Sequence, residues 1–513
     1  MWAGAVGRSQ RMWAQNRDVI GPSDLCSRAA TASYTSGAAI EKSRTGNDAY
    51  FAFIRLIGSA ASLSLMVFQS SVAADYTVHT FEKIQLTDKF WAEGAAIGDI
   101  NRDGHSDVIA GPYWYESPDF KKRHEFHSAA QTFERRGKDG KHQIIPGFEG
   151  ALGRKNAYSN NFFTFVYDFN HDGWPDILTI GFPGKAATWY ENPGQKGLKS
   201  GKHWKAHIAF DSVDNESPTW VDLFGDGRPV LLCMSGGFVG YASPNSDNPT
   251  GKWKFHAISP RGDYQQFTHG LGYGDVNGDG RADILEANGW WEQPAVLTDD
   301  PVWRFHRQPF NMGGSQKETY GGSQMYTYDV NGDGLPDVIA VLAAHNYGLV
   351  WYEQLKDRDA NGEIQFRQHF IINRKPSDNK YGVAFSEMHA VALADIDGDG
   401  LQDIVTGKRF WAHGSDGSGF DDEPNAPAVL YWFKLVRNTE QSVDFIPYLI
   451  DDNSGVGTQV VVGDVNGDGL PDIVVSNKKG TFLFLHKVEK VSKEQWDRTQ
   501  PKTKFTVAEG GAH

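Results

Sequence analysis

"DVNGDGLPDIVVSN" spans Asp464–Asn477 and decides how the chain is organised. Asp464, Asn466, Asp468 and Asp472 put four oxygen side chains on nine residues, with Gly469 where the backbone must turn. Side-chain oxygens at positions 1, 3, 5 and 9, with a backbone carbonyl near position 7, can wrap one hard cation, and flexible oxygen-only ligation favours Ca2+ over Mg2+. An EF-hand would need a longer loop, flanking helices and a bidentate Glu at position 12. Here the β-branched run "DIVVSN" follows at once, so the loop joins two strands. An ion in such a loop pins a turn.

The loop recurs. Ion ligands are expected at Asp99, Asn101, Asp103 and Asp107; at Asp168, Asn170, Asp172 and Asp176; and at Asp275, Asn277, Asp279 and Asp283. The series continues with Asp329, Asn331, Asp333 and Asp337, then Asp395, Asp397, Asp399 and Asp403, and ends on the Asp464 copy. A weaker copy, "DLFGDGRPV" from Asp222, has Phe224 and Val230 at ligand positions and is expected to hold no ion. The seven copies start roughly 53 to 69 residues apart.

Each copy has the same surroundings. A short apolar strand enters ("GLGYGD", "VALAD"), a β-branched strand leaves ("DILEAN", "DVIAVL"), an aromatic strand follows ("TWYENP", "GWWEQP", "LVWYEQ") and a fourth ends the unit ("WKAHIAF", "WRFHRQP"). Four strands per repeat describe a propeller blade. The expected fold is therefore all-β, a seven-bladed β-propeller of four-stranded blades with calcium-binding loops. The last repeat shows three strands, ending near Leu485, while Tyr76–Leu86 reads as a fourth strand that lacks a unit. The N-terminal strand is expected to complete the last blade and so remove an exposed edge. Histidines of the fourth strands (His79, His207, His256) repeat with the blade and are read as packing residues.

Composition agrees with many short strands and tight turns: 16 Trp, 31 Phe, 19 Tyr and 57 Gly. A net charge of −14 argues against nucleic acid as partner, because phosphate neutralisation needs clustered Lys and Arg. Cys26 and Cys233 are the only cysteines, too few for a disulfide framework. An apolar segment, Ile57–Phe68, follows Arg55 and precedes the small-residue site Ser71-Val72-Ala73-Ala74, the layout of a secretory signal. The expected division is a leader over 1–74, a propeller over 75–488 and a polar tail over 489–513, with the mature chain secreted or in the cell envelope. Retention of the leader as a membrane anchor is the alternative. A monomer is expected.

The repeats resemble FG-GAP/VCBS repeats, the calcium-loop blades also found in integrin-type propellers. "GFPGKAATWYENPG", "THGLGYGDVNGDGRADILEANGWWEQP" and "GKRFWAHG" further resemble the propeller of aldos-2-ulose dehydratase-like proteins. The first resemblance implies calcium in the loops and a binding role. The second implies dehydration of an oxidised sugar.

If calcium sits on one rim, a ligand site belongs at the other, where the innermost strands begin. Six residues before each loop stand Glu93, Phe162, Glu216, His269, Ser323, His389 and Thr458. Two His and two Glu thus converge from different repeats. Imidazole with carboxylate suits Zn2+ or a similar metal, which could polarise a sugar carbonyl, or a metal-free acid–base pair. A merely solvated polar mouth is the bland alternative. Asn161, Gln324 and Glu387 could add contacts to sugar hydroxyls. Lys408, Arg409 and His413 in "GKRFWAHGSDG" could orient a carboxylate or keto-sugar, or could belong to an ordinary surface loop. Two functions follow: binding of a carbohydrate or protein ligand, or a metal-assisted dehydratase or lyase in which His269 or His389 acts as ligand or base and Lys408 or Arg409 orients the substrate. A calcium-propeller pectin lyase is a weaker third reading.

Overall fold

A computed structural model describes residues 76–129, 132–136, 142–146, 158–312, 321–414, 421–438 and 442–506. The signal-like segment and its cleavage site lie outside the described residues.

The chain is all-β and forms a β-propeller, but the expected seven four-stranded blades are corrected by the strand pairing, which shows five among the described residues. Among the described residues there are five four-stranded sheets, one eight-stranded sheet and a two-stranded hairpin, Thr132–Arg136 with His142–Pro146. The eight-stranded sheet contains the strands of the fourth and fifth repeats. It forms because their innermost strands, Leu271–Gly274 and Gln324–Tyr328, pair in parallel. Glycine makes this possible. A Cβ on Gly272 would lie 2.0 Å from the Met325 carbonyl oxygen, so only a bare backbone allows the two strands to come within hydrogen-bonding reach.

The ring closes on itself. The first inner strand, Ala96–Gly98, contacts both Phe163–Tyr167 of the second repeat and Val460–Gly463 of the last. Tyr76–Thr87 pairs antiparallel with Gly480–Val491, from Tyr76↔Val491 to Thr87↔Thr481, and becomes the outer strand of the last sheet. That pairing carries the final strand to Val491, beyond the boundary expected at 488. A short helix, Lys493–Thr499, follows, its start capped by Ser492 accepting from the Gln495 N–H.

Aromatic stacking fastens the outer strands. Trp114 stacks on His124 (ring centroids 3.9 Å apart), Trp189 on His207 (4.3 Å), Trp290 on His306 (3.9 Å) and Trp351 on His369 (4.3 Å). Each of these histidines also meets a carboxylate two residues after its tryptophan: Glu116, Glu191, Glu292 or Glu353, at 2.5 to 2.8 Å. These four histidines thus fasten outer strands to their neighbours.

Glu286, the last residue of Asp283–Glu286, is buried, and its carboxylate accepts the backbone and side-chain N–H groups of Asn288. Burial pushes its pKa up from 4.5 to about 7. Between those values the folded chain keeps a proton that the unfolded chain has released, so stability falls as pH rises through this window. Thermal melts should show Glu286→Gln losing that part of the slope between pH 5 and 7 and gaining stability over the parent above it. A parallel pH profile would contradict the assignment.

Candidate functional site

The inner strands start at one rim and run to the calcium-type loops at the other, and the second strands run back. Two sets of residues therefore meet at the mouth, the starts of first strands and the ends of second strands. The first set brings Glu93, Glu216, His269 and His389 together. The second adds Lys408 and Arg409 after Asp403–Gly407, Lys478 after Asp472–Asn477, and His345 beyond Asp337–Val341.

His269, His345 and His389 can each place one ligand atom within 4.8 Å of the other two. Their rings stand 4.6 to 5.6 Å apart, nearly edge to face. The Nδ1 atoms face oxygens: that of His269 the Phe267 carbonyl at 2.7 Å, and that of His389 the Glu387 carbonyl at 3.3 Å. His345 Nδ1 faces Asp421 Oδ1 at 3.4 Å and Glu387 Oε2 at 3.6 Å. The Nε2 atoms of His269 and His389 are buried and have no hydrogen-bond partner among the described residues. An imidazole whose Nδ1–H is held by an oxygen presents a lone pair at Nε2, the arrangement of metal-ligating histidines with their outer-shell partners. Burial pushes His269 down to about 4 and His389 well below its ordinary value, which keeps both neutral. Burial also disfavours the imidazolium of His345, but the Asp421 and Glu387 carboxylates outweigh it and hold the pKa at about 9. A cation at the centre would compete with that proton.

Around the three imidazoles lies a buried charge network. Glu93, fully buried, binds Arg409 through one carboxylate oxygen and Lys478 Nζ through the other, at 3.1 Å. Glu216 Oε2 lies 3.6 Å from His269 Nε2 and 3.9 Å from Arg409 Nη1. Lys408 Nζ donates to Ser386 Oγ at 3.0 Å. Asp421 accepts the backbone N–H groups of Ala412 and His413 on one oxygen, each at 2.8 Å, and the His413 ring at 2.5 Å on the other. His413 also packs beside His345, with ring centroids 4.6 Å apart. Glu387 is fully buried, neither carboxylate oxygen has a hydrogen-bond partner among the described residues, and its φ is +63°. Phe267 (φ +70°) and Trp411 (φ +36°) share this left-handed backbone beside the centre. Such strain in non-glycine residues persists only where the surroundings over-determine it, and functional sites are the usual place.

Two candidates face elsewhere. Gln324 bridges backbone groups, donating to the Thr458 carbonyl and accepting from the Val391 N–H, both at 3.1 Å. Asn161 accepts from Thr164 Oγ1 at 3.1 Å and reaches the Gly111 carbonyl. Both staple strands around the ring.

At the other rim the loop carboxylates divide the work. In the first complete loop Asp99 accepts the N–H groups of Asp103 and Gly104, each at 3.0 Å, which folds the turn. Asp107 is fully buried, and its two oxygens accept N–H groups from Ile100 at 3.1 Å and Ser117 at 2.9 Å. The same double clamp holds at Asp176, Asp283, Asp337, Asp403 and Asp472. The ninth position thus ties loop to sheet as well as offering an ion its remaining lone pairs.

Comparison with known proteins agrees with this frame. Residues 168–233 and 329–406 match the family model of the FG-GAP-like repeat, and 456–482 that of the FG-GAP repeat. FG-GAP-type repeats are thus matched in parts of a chain whose sheets form a β-propeller. Integrin alpha-PS2 of Drosophila melanogaster is 26% identical over 198 residues, which is 36% of this chain and 13% of that protein. The chain therefore spans only a small part of that relative's length. Among solved structures, a protein from Lactobacillus plantarum aligns over 77% of this chain and 88% of its own, with 8% identity and a TM-score of 0.38. A rhamnogalacturonan lyase aligns over 80% of this chain and 72% of its own, with 14% identity and a TM-score of 0.33. Both scores are too low to bear on activity. The likeness to aldos-2-ulose dehydratases rests on the sequence phrases alone. Among the described residues no helix is long and apolar enough to cross a membrane.

Proposed function

We propose that the centre of the ring is a transition-metal site that binds and dehydrates an oxidised sugar, carried on an exported β-propeller whose loops at Asp99, Asp168, Asp275, Asp329 and Asp464 hold calcium. The observation that carries this reading is the convergence of His269, His345 and His389, with unpartnered Nε2 atoms on the first and third. Two neutral imidazoles with oxygen-held Nδ1 atoms, His269 and His389, together with His345, whose proton a cation would displace, fit Zn2+ or a similar ion and leave a position open to a ligand. Bound there, the metal would polarise a sugar carbonyl.

The chain's own residues supply the rest. Glu216 faces the Nε2 side of His269 and is placed to hold a ligand hydroxyl. Arg409 and Lys408 bring positive charge beside the centre for a keto-sugar or its carboxylate. His345 and His413 are the more exposed of the four site histidines, at 16% and 28%, so the ligand would enter on their side.

A second reading, recognition of a carbohydrate or protein without turnover, is favoured by the FG-GAP repeats and the integrin-like stretch. Elemental analysis and activity separate the two. The enzyme reading expects about one transition metal per chain, lost in a His269→Ala/His389→Ala variant that still melts cooperatively, and keto-sugar turnover that disappears with the metal. Stoichiometric metal with no turnover on keto-sugars would leave the binding reading. No metal in protein refolded with zinc, manganese or iron would end the metal-site proposal.

A further inference from the structure

The sixth repeat departs from its siblings at three positions at once. Where the first, second, fourth and fifth repeats carry Glu116, Glu191, Glu292 and Glu353, two residues after the stacked tryptophan, the sixth has Lys434 after Trp432. Where they pair that glutamate with a fourth-strand histidine, it has Tyr448, opposite Trp432 in the same register as His369 opposite Trp351. Its loop carries Asp397 where the other complete loops have Asn101, Asn170, Asn277, Asn331 and Asn466.

These changes meet in space. The Lys434 ammonium group contacts Asp397 and lies 3.0 Å from Asp399 Oδ2. Oxygens of Asp395, Asp397 and Asp399 lie within 4.8 Å of one another. The Asp397 side chain is only 8% exposed, and its Oδ1 has no hydrogen-bond partner among the described residues. A fourth carboxylate in place of an amide would by itself raise a loop's calcium affinity. A tethered ammonium works against this, because it is present at an effective concentration of about millimolar or more.

We infer that Lys434 is the resident cation of the loop Asp395–Asp403: its ammonium group neutralises Asp397 and Asp399 in the place that calcium takes in the other complete loops, and this loop closes without metal. The inference rests on the calcium reading of those other loops. It also explains the triple change. Asp397 supplies the charge that Lys434 needs, and Tyr448 replaces a histidine whose glutamate partner is gone.

The test is calcium titration of the chelator-stripped, full-length protein by calorimetry, with melting curves in chelator and in calcium. Lys434→Gln should bind one more calcium per chain than the parent, melt lower than the parent in chelator, and recover when calcium is added. Lys434→Gln/Asp397→Asn restores the residue pattern of the other loops and should bind calcium as they do, a second reading if the single variant folds poorly. Equal, non-zero stoichiometry in parent and both variants overturns the inference. If no protein in the series takes up calcium, the loop reading fails separately, and the melts in chelator decide the lysine. Non-additive effects of Lys434→Gln and Asp397→Asn support it as the counter-ion, and additive effects overturn it.

Discussion

Stripping calcium should lower the melting temperature of the protein more than any single substitution. A loop at a calcium concentration 100-fold above its Kd gains about 2.7 kcal/mol of native-state stability. Several such loops together rival the roughly 5–15 kcal/mol that separates a typical domain from its unfolded state. The ring offers that many because five complete loops, besides the one that Lys434 closes, each place carboxylates at positions 1, 5 and 9. Without an ion these charges repel one another at the turn. Scanning calorimetry with excess chelator and then excess calcium reads the effect directly, and magnesium at equal concentration should restore little of it, since it tolerates flexible oxygen cages poorly. A melt indifferent to chelation would contradict structural calcium.

The second large effect is expected at Glu93. This carboxylate comes from the start of the first repeat and neutralises Arg409 of the sixth and Lys478 of the last, all three being buried. Burial lowers the Lys478 pKa to about 8 even with Glu93 beside it. Removing one partner of a buried ion pair typically costs about 3–5 kcal/mol, because the survivor stays desolvated and unpaired. Glu93→Ala strands Lys478, leaves Arg409 only the more distant Glu216 at 3.9 Å and opens the junction where the ring closes, so its loss should fall within that range in urea denaturation. A loss below about 1 kcal/mol would mean that water or another carboxylate takes over, and would contradict the network as described.

Much of this was legible in the sequence because the nine-residue loop carries its own register. Once Asp275–Asp283 is aligned with its siblings, the flanking strands follow, and counting back six residues finds His269, His389, Glu216 and Glu93 near one centre. Pairing between repeats was not legible in the same way. Whether Leu271–Gly274 joins Gln324–Tyr328 depends on how closely two backbones approach, and the glycines at 270, 272 and 274 read as turn and strand residues until their neighbours are known. His345, Lys478 and Asp421 escaped for a related reason. They sit where second strands end or where an insertion returns, and the distance from the loop to those points varies between repeats. One signal was available: a strand that leaves the calcium-type rim must end at the mouth, so its last residues deserved the same reading as the first residues of its partner. Gln324 and Asn161 show the converse. Their position was read correctly, but their side chains are spent on neighbouring backbone.

The central claim is that three imidazoles from three repeats hold one metal ion. Crystals of the zinc-loaded protein, measured on both sides of the zinc absorption edge, test it most directly. The account predicts one anomalous peak at the ring centre, about 2.0–2.1 Å from a nitrogen of each of His269, His345 and His389, which vanishes in the His269→Ala/His389→Ala variant. A map with no peak there, or with zinc only in the loops at the opposite rim, would contradict it.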